Sequence, residues 1–487
     1  CTVPATVVVK WSGKKFDVEL DASESAMVFK AQLFALTGVE PDRQKIMIKG
    51  GLMKNDTDLS KLNIKPMMGT AGEIPKAPEK PIVFLEDLDD DELAKALELP
   101  TGLQNLGNTC YMNATIQCLR VIPELGQSLR SVTGTLSGSD AGRRLTNQMS
   151  TLFRDLDAAG ESYSPSTFVN VLREAFPHFA QRAAGGIYAQ QDAEECWSGI
   201  VSTLRSNLPT GSGSDSKGFV DAYMTGEMRN TLKCDESEAE EPIVTTEPFT
   251  KLHCRITQGM HTVCLSQICA DMTEKIETTS PSLNRTASYT KTSQINRLPT
   301  YLSVHFVRFF WKVEENVAAK ILRKVKFPME MDMFEFCTPE LQEKMRGARA
   351  KLHEIEDARA LAAREAKVAA GNVPAGAANP AAASSAMETE PTVDVEAAMK
   401  EVHPDLVADV GCSYTGMYEL CAVLTHIGRS ADSGHYIAWV RRENTDDWFK
   451  FDDDRVSVVK SEDIMKLDGG GDWHIAYITL YRAKKIA

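Results

Sequence analysis

The chain has 487 residues, and at ~100 to 200 residues per domain two or three units are expected. Hydrophobic residues make up 43% and charged residues 25%, as in soluble globular proteins, and no run approaches the ~18 apolar residues that span a bilayer, which excludes a membrane-spanning protein. A net charge of −14 without a long Lys/Arg cluster excludes nucleic acid as a partner.

The opening CTVPATVVVKWSG carries an apolar run too short for a secretory signal and broken by Lys10, and the absent initiator Met reads as a trimmed start. Residues 5–65 then show two alternating runs, TVVVKW and KFDVEL, a helical run SAMVFKAQLFALTGV closed by Gly38 and Pro41, and RQKIMIKGG. Strand, strand, helix, strand is the order of the ubiquitin-like fold, in which one helix crosses a small sheet. After LSKLNIK the chain reaches Pro66, which has no N–H for a ladder, so the last strand of such a domain is expected to be shortened. Gly50-Gly51 is internal and reads as a turn. The first 65 residues hold ten Lys/Arg against eight Asp/Glu, so the acidity lies downstream and suits a basic partner there.

Residues 69–98 read as a Pro/Gly-rich linker, GTAGEIPKAPEKP, followed by a short acidic helix. The major domain is expected over 99–484. It is helical to about Met228 and strand-rich from about Thr231, an α+β arrangement with a cleft between its halves. An insertion is expected at about 339–405, a charged, Ala-rich helix serving as a surface spacer or docking helix and then a low-complexity tract.

Three positions carry chemistry. Cys110 follows Asn108-Thr109, residues that cap helices, and precedes YMNATIQCLRV, which places the thiol in a first helical turn where the dipole favours thiolate. A thiol nucleophile needs a base, and His435 in SADSGHYIAWV stands behind a Ser/Gly loop at the head of a strand. If HYIAWVRR and WFKFDDD form a hairpin, pairing Arg441 with Trp448 sets Asp454 opposite His435 and Asp452 diagonal to it on the same face, with Asp453 turned away. A carboxylate is then available to hold imidazole Nδ1, and the register leaves Asp452 and Asp454 as alternatives. Asn105, in the loop before the cysteine, offers an amide to a developing oxyanion beside the N–H of Cys110, and Asn108 reads as a turn residue.

These stretches resemble the ubiquitin-specific proteases. GLQNLGNTCYMNATIQCL is similar to their cysteine box, YELCAVLTHIGRSADSGHYIAWVR with WFKFDDDRV to their histidine box, and YAQQDAEECW, LPTYLSVHFVRFFW and KVKFPMEMDM to three further boxes between them. An N-terminal ubiquitin-like domain resembles the proteasome-associated branch of that family. The resemblance implies a papain-like fold of thumb, palm and fingers, and hydrolysis of isopeptide bonds at the ubiquitin C-terminus. Asp452 is then the triad acid, Asn105 the oxyanion residue, and Gln191, Asp192 and His426 contacts for the substrate tail.

The fingers of many members bind zinc through two Cys-x-x-Cys pairs, but Cys234, Cys254, Cys264 and Cys269 form none, so no zinc and no cofactor is expected. Implied partners are ubiquitin, ubiquitinated proteins and the proteasome regulatory particle, with a monomer expected away from the proteasome. Eleven scattered cysteines fit reduced thiols and a cytoplasmic location, with the nucleus also open. The small polar residues of 428–434 suit a loop that gates the cleft. A catalytically silent ubiquitin-binding scaffold, or a protease for another ubiquitin-like modifier, would share the same boxes.

Overall fold

A computed structural model describes residues 5–59 and 99–486, except 12–13, 22–23, 49–50, 54, 56, 58, 133–139, 161, 184, 209–216, 257–262, 313–316, 372–394, 431–432, 444 and 472. The expected linker and last ubiquitin-like strand, and the low-complexity tract after 371, lie outside the described residues. The chain divides into two units, 1–87 and 88–487, which are taken separately.

In the first unit β1 (Ala5–Trp11) and β2 (Lys14–Leu20) pair antiparallel, and α1 (Ala26–Thr37) follows. Gly38 ends the helix at φ 72, a left-handed conformation open to glycine, and its N–H returns to the Phe34 carbonyl. β3 (Met47–Ile48) and β4 (Gly51–Leu52) pair antiparallel with Ile48 opposite Gly51, while Gly50 lies outside the described residues. Val18, Leu20, Phe29, Leu33 and Met53 make the small core, in keeping with the alternation in β2 and the helical spacing in α1.

The second unit opens with β5 (Gly102–Leu103), then α2 (Cys110–Arg120), α3 (Pro123–Val132) and α4 (Ala141–Ala158). β6 (Ser162–Tyr163) pairs parallel with β5, and α5 (Ser166–Ala175), α6 (Ala193–Asn207) and α7 (Phe219–Tyr223) complete the helical half. Every residue of α2 from Cys110 to Leu119 is buried, because the helix lies between the other helices and the sheet. Burying Ile116 and Leu119 there contributes roughly 1.5 to 3 kcal/mol each.

Strands begin with β7 (Gly226–Cys234) and β8 (Ile243–Phe249), followed by β9 (Leu252–Arg255) and α8 (Cys264–Asp271). β10 (Thr273–Ser280) and β11 (Arg285–Arg297) join β7 and β8 in a four-stranded sheet of order β10-β11-β7-β8, whose own small core among the described residues is Cys234, Ala287 and Tyr289. β12 (Tyr301–Val307) precedes the hairpin of β13 (Phe309–Lys312) and β14 (Val317–Lys320), then β15 (Glu330–Asp332) and α9 (Pro339–Gly371). β16 (Met417–Ser430), β17 (Ser433–Arg441), β18 (Asp447–Asp452), β19 (Arg455–Lys460) and β20 (Ile475–Ala483) close the chain. The eight-stranded sheet runs β19-β18-β17-β16-β20-β12-β9, with β15 paired to β16. One face carries Tyr436, Ala438 and Phe451 against the helices, and the other carries Ile437, Trp439 and Trp448 in a second core.

The fold is α+β as expected, with one correction. α9 is not a surface spacer over its first half: Leu341, Met345, Ala348, Leu352 and Ile355 recur at helical spacing and are buried, all but Leu352 within the second core. Beyond Ile355 the stripe stops, and Leu361 is exposed.

Candidate active site

The site forms at one end of the large sheet, where α2 begins, β17 begins and β18 ends. Thr109 is the N-cap of α2, and Asn108 before it takes φ 54, a left-handed turn conformation that Asn tolerates. Asn108 is thus the expected turn residue, and its Nδ2 donates to the Tyr188 carbonyl at 2.9 Å. Cys110 is the first residue of α2, so its N–H has no intrahelical acceptor.

The hairpin register is the expected one: Arg441 faces Trp448, and the ladder runs to Ala438 opposite Phe451. There it stops, because β18 turns into β19 through Asp453 and Asp454, with Asp452 facing Arg455. Asp454 therefore never comes to lie opposite His435, and its side chain is exposed. Asp452 Oδ1 lies 2.7 Å from His435 Nε2. The expectation of Nδ1 is corrected: the acid comes from the end of the neighbouring strand and meets Nε2, which leaves Nδ1 for the thiol. His435 is raised to about 10, first by its bond to Asp452 and then by its bond to the Cys110 thiol. Asp452 is lowered to about 2, first by His435, with Lys450 at 3.4 Å from its other oxygen adding to the effect.

Asp453 is also corrected. The left-handed backbone at φ 56 swings its carboxylate back toward the site, where it is largely buried. Its Oδ1 accepts from Asn113 Nδ2 at 2.8 Å and its Oδ2 from Asn105 Nδ2 at 2.8 Å, while its carbonyl accepts from Leu103 N–H at 2.9 Å. Asn105 Oδ1 accepts from the N–H groups of Gly107 and Thr109 at 3.0 and 3.2 Å, so its amide orientation is fixed. Asn105 thus stands in the loop beside Cys110 with one amide hydrogen engaged by Asp453.

Gln190 donates to Cys110 Sγ at 3.3 Å. The sequence reading passed over it for Gln191 and Asp192; the signal available was its place in the same Gln-Gln-Asp-Ala box. An open groove of about 1050 Å³ runs from there, lined among others by Asn108, Gln190, Gln191, Asp192, Glu195 and Lys251. Gln191 is mostly buried. Asp192 is the N-cap of α6, accepting from Glu194 N–H at 2.7 Å, and both its oxygens take the Tyr477 hydroxyl at 2.8 Å. Burial is the main cause that raises it to about 6.

His426 does not join the groove. It is fully buried between Phe309 and Tyr436, with Lys320 Nζ at 2.8 Å from Nδ1, and burial first lowers it to about 3. Sequence could not separate it from His435, since both lie on strands beside the same glycine loop. Gly434 packs so closely on that ring that a Cβ there would stand 2.5 Å from His426 Nε2.

Among the described residues the one cluster of His, Cys, Asp and Glu with metal-ligand spacing is His435, Asp452 and Asp453, the site itself. Cys234, Cys254 and Cys264 are buried in two different cores.

A thiol at a helix start, an imidazole held by a carboxylate, and an amide beside the thiol define a papain-type cysteine hydrolase. The family model of ubiquitin carboxyl-terminal hydrolase matches residues 101–481, and that of the ubiquitin family matches 7–68. The chain belongs to the ubiquitin carboxyl-terminal hydrolases, the cysteine-type deubiquitinases, and carries an N-terminal ubiquitin-like domain. It is 43% identical over 494 residues to ubiquitin carboxyl-terminal hydrolase 6 of Arabidopsis thaliana, covering 99% of each chain. Hydrolase 6 of Schizosaccharomyces pombe is 43% identical over 495 residues, with 99% of both chains covered. Hydrolase 14 of Caenorhabditis elegans is 36% identical, with 99% of this chain and 94% of that one covered.

Proposed function

We propose that the chain is a cytoplasmic deubiquitinase that cleaves isopeptide bonds at the ubiquitin C-terminus on substrates delivered to the proteasome, with Cys110, His435, Asp452 and Asn105 as its machinery. The observation that carries this reading is the Cys110, His435 and Asp452 constellation beside an acidic groove that fits an extended basic tail. His435 takes the thiol proton and the thiolate attacks the carbonyl carbon of ubiquitin's last glycine. The oxyanion is met by the Cys110 N–H and the free hydrogen of the Asn105 amide. When the C–N bond breaks, His435 gives its proton to the leaving lysine amine; it then removes a proton from the water that hydrolyses the thioester, releasing a carboxylate and restoring the thiol. Gln191 and Asp192 shape the groove wall along the tail.

The ubiquitin-like unit is the docking element for the proteasome regulatory particle in this reading. Its match over residues 7–68, together with relatives alike over nearly their whole length, supports that role. Exposure to ubiquitin bearing a C-terminal electrophile, with and without purified proteasomes, tests the proposal. An adduct on Cys110, absent in Cys110→Ala, is expected, and no adduct under either condition would overturn the enzymatic reading. Co-sedimentation with proteasomes that survives removal of residues 1–68 would overturn the docking role.

A further inference from the structure

Three groups from one short stretch around the nucleophile converge on Asp453, two on its carboxylate and one on its main-chain carbonyl. The loop before the nucleophile reaches it through Asn105, the first turn of α2 through Asn113, and β5 through the Leu103 N–H. Both carboxylate oxygens therefore receive amide N–H groups, one from each side of Cys110. At 3.9 Å from His435 Nε2 its Oδ2 is well beyond the 2.7 Å contact of Asp452, so Asp453 is not the direct partner of the base.

We propose that Asp453 is a positioning residue that fixes the Asn105 amide beside the Cys110 carbonyl-attack position, and so acts on the oxyanion through Asn105. The inference rests on the reading of Asn105 as an oxyanion donor. The chemistry of the partners makes the residue type specific. Asn105 Oδ1 is committed to the N–H groups of Gly107 and Thr109, so its Nδ2 must point to Asp453. Asn113 Nδ2 also approaches the Leu103 and Gln104 carbonyls at 3.2 and 3.3 Å, so it too arrives as a donor. Position 453 must accept on both oxygens, which a carboxylate does and an amide does not. The left-handed turn at φ 56 suits Asp better than most residues, since short polar side chains tolerate that region.

The test is Asp453→Asn in the full chain, an isosteric change that turns one acceptor into a donor facing a donor. Cleavage of ubiquitin 7-amido-4-methylcoumarin should show kcat reduced about 100-fold, the loss typical of one oxyanion donor, with KM within threefold. Alkylation of Cys110 by iodoacetamide passes through no oxyanion, so its plateau rate should stay within threefold of wild type even where loss of the Asp453 charge, 3.9 Å from the His435 ring, shifts its pH profile. The double variant with Asn105→Ala should be no more than threefold slower than Asn105→Ala alone, because the two act as one unit. A kcat within threefold of wild type, multiplicative losses, or alkylation slowed in parallel with hydrolysis would each overturn the proposal. Should Asp453→Asn fail to fold, Asn113→Ala removes the other arm and is expected to lower kcat about tenfold, non-additively with Asn105→Ala; additive loss there would likewise overturn it. Wild-type protein inert toward the ubiquitin substrate would sink the underlying functional reading instead.

Discussion

Replacing Asp452 by Asn isolates the acid of the site. The 2.7 Å contact joins a carboxylate lowered to about 2 to an imidazole raised to about 10, each the other's first cause. A hydrogen bond to a charged group contributes ~1.5 to 3 kcal/mol, and this one matters most when the ring carries its proton during acyl transfer. At ~1.36 kcal/mol per tenfold in rate, kcat/KM of Asp452→Asn should fall about 10- to 150-fold. The sign of the pH effect follows. His435 holds its proton up to about 10 in the free enzyme, so the alkaline limb of kcat/KM, where the imidazolium paired with the thiol is lost, lies there in the wild type. Without Asp452 the largest cause of that rise is gone, and the limb should move down toward the ordinary ~6.5 of histidine. Asp454→Asn is the control, with an exposed side chain and an expected change below twofold. The assay is hydrolysis of a fluorogenic ubiquitin amide from pH 5.5 to 10.5. Equal damage from both variants, or an unmoved alkaline limb in Asp452→Asn, would refute the assignment.

Burial raises Asp192 from 3.8 to about 6, so the folded state holds its proton more tightly than the unfolded one, and stability is lost as pH rises through that window. At ~1.36 kcal/mol per pH unit, Asp192→Asn, which keeps an N-cap acceptor, should be about 2 to 3 kcal/mol more stable than wild type at pH 7.5 and equal to it below pH 4 in urea unfolding. A Cβ at Gly102 would stand 2.4 Å from the Asp454 carbonyl oxygen, backbone against backbone. Gly102→Ala should therefore cost about 1 to 3 kcal/mol and most of the hydrolysis, and an unchanged melt with full turnover would show that the contact yields. In α9, Leu352→Ala should destabilise by about 2 to 5 kcal/mol and Leu361→Ala by less than about 0.5, since only the first is buried. Equal effects would show that the two halves of the helix are packed alike.

The order of elements in the first unit was legible because each period was long enough to read: alternation in β1 and β2, the helical run of α1, the Gly38 stop. The β17–β18 register was legible too, down to Arg441 opposite Trp448. What failed was its extension past Phe451, because a ladder argument assumes that both strands continue, and the left-handed residue at Asp453 ends one of them. Three consecutive aspartates look alike in sequence, whereas the turn gives one to His435, one to two asparagines and one to solvent. Gln190 and Gln191 are a similar case: adjacent amides whose fates depend on which one the approach to α6 turns toward Cys110. The apolar stripe of α9 from Leu341 to Ile355 was readable at helical spacing, and its abundant charged and Ala residues hid it behind a compositional impression.

Asn105 and Asp453 stand 348 positions apart, with nearly the whole hydrolase unit between them. At a synthesis rate of ~5 to 20 residues per second, the ribosome finishes the cysteine loop roughly 17 to 70 s before it reaches the aspartate turn. Through most of that interval the nascent chain carries a nucleophile without its base, its acid or the clamp on its amide. A site divided between the two ends of a domain is thus its own safeguard during translation: the protein cannot cut anything until the last strands have been made and have folded back onto the first helix.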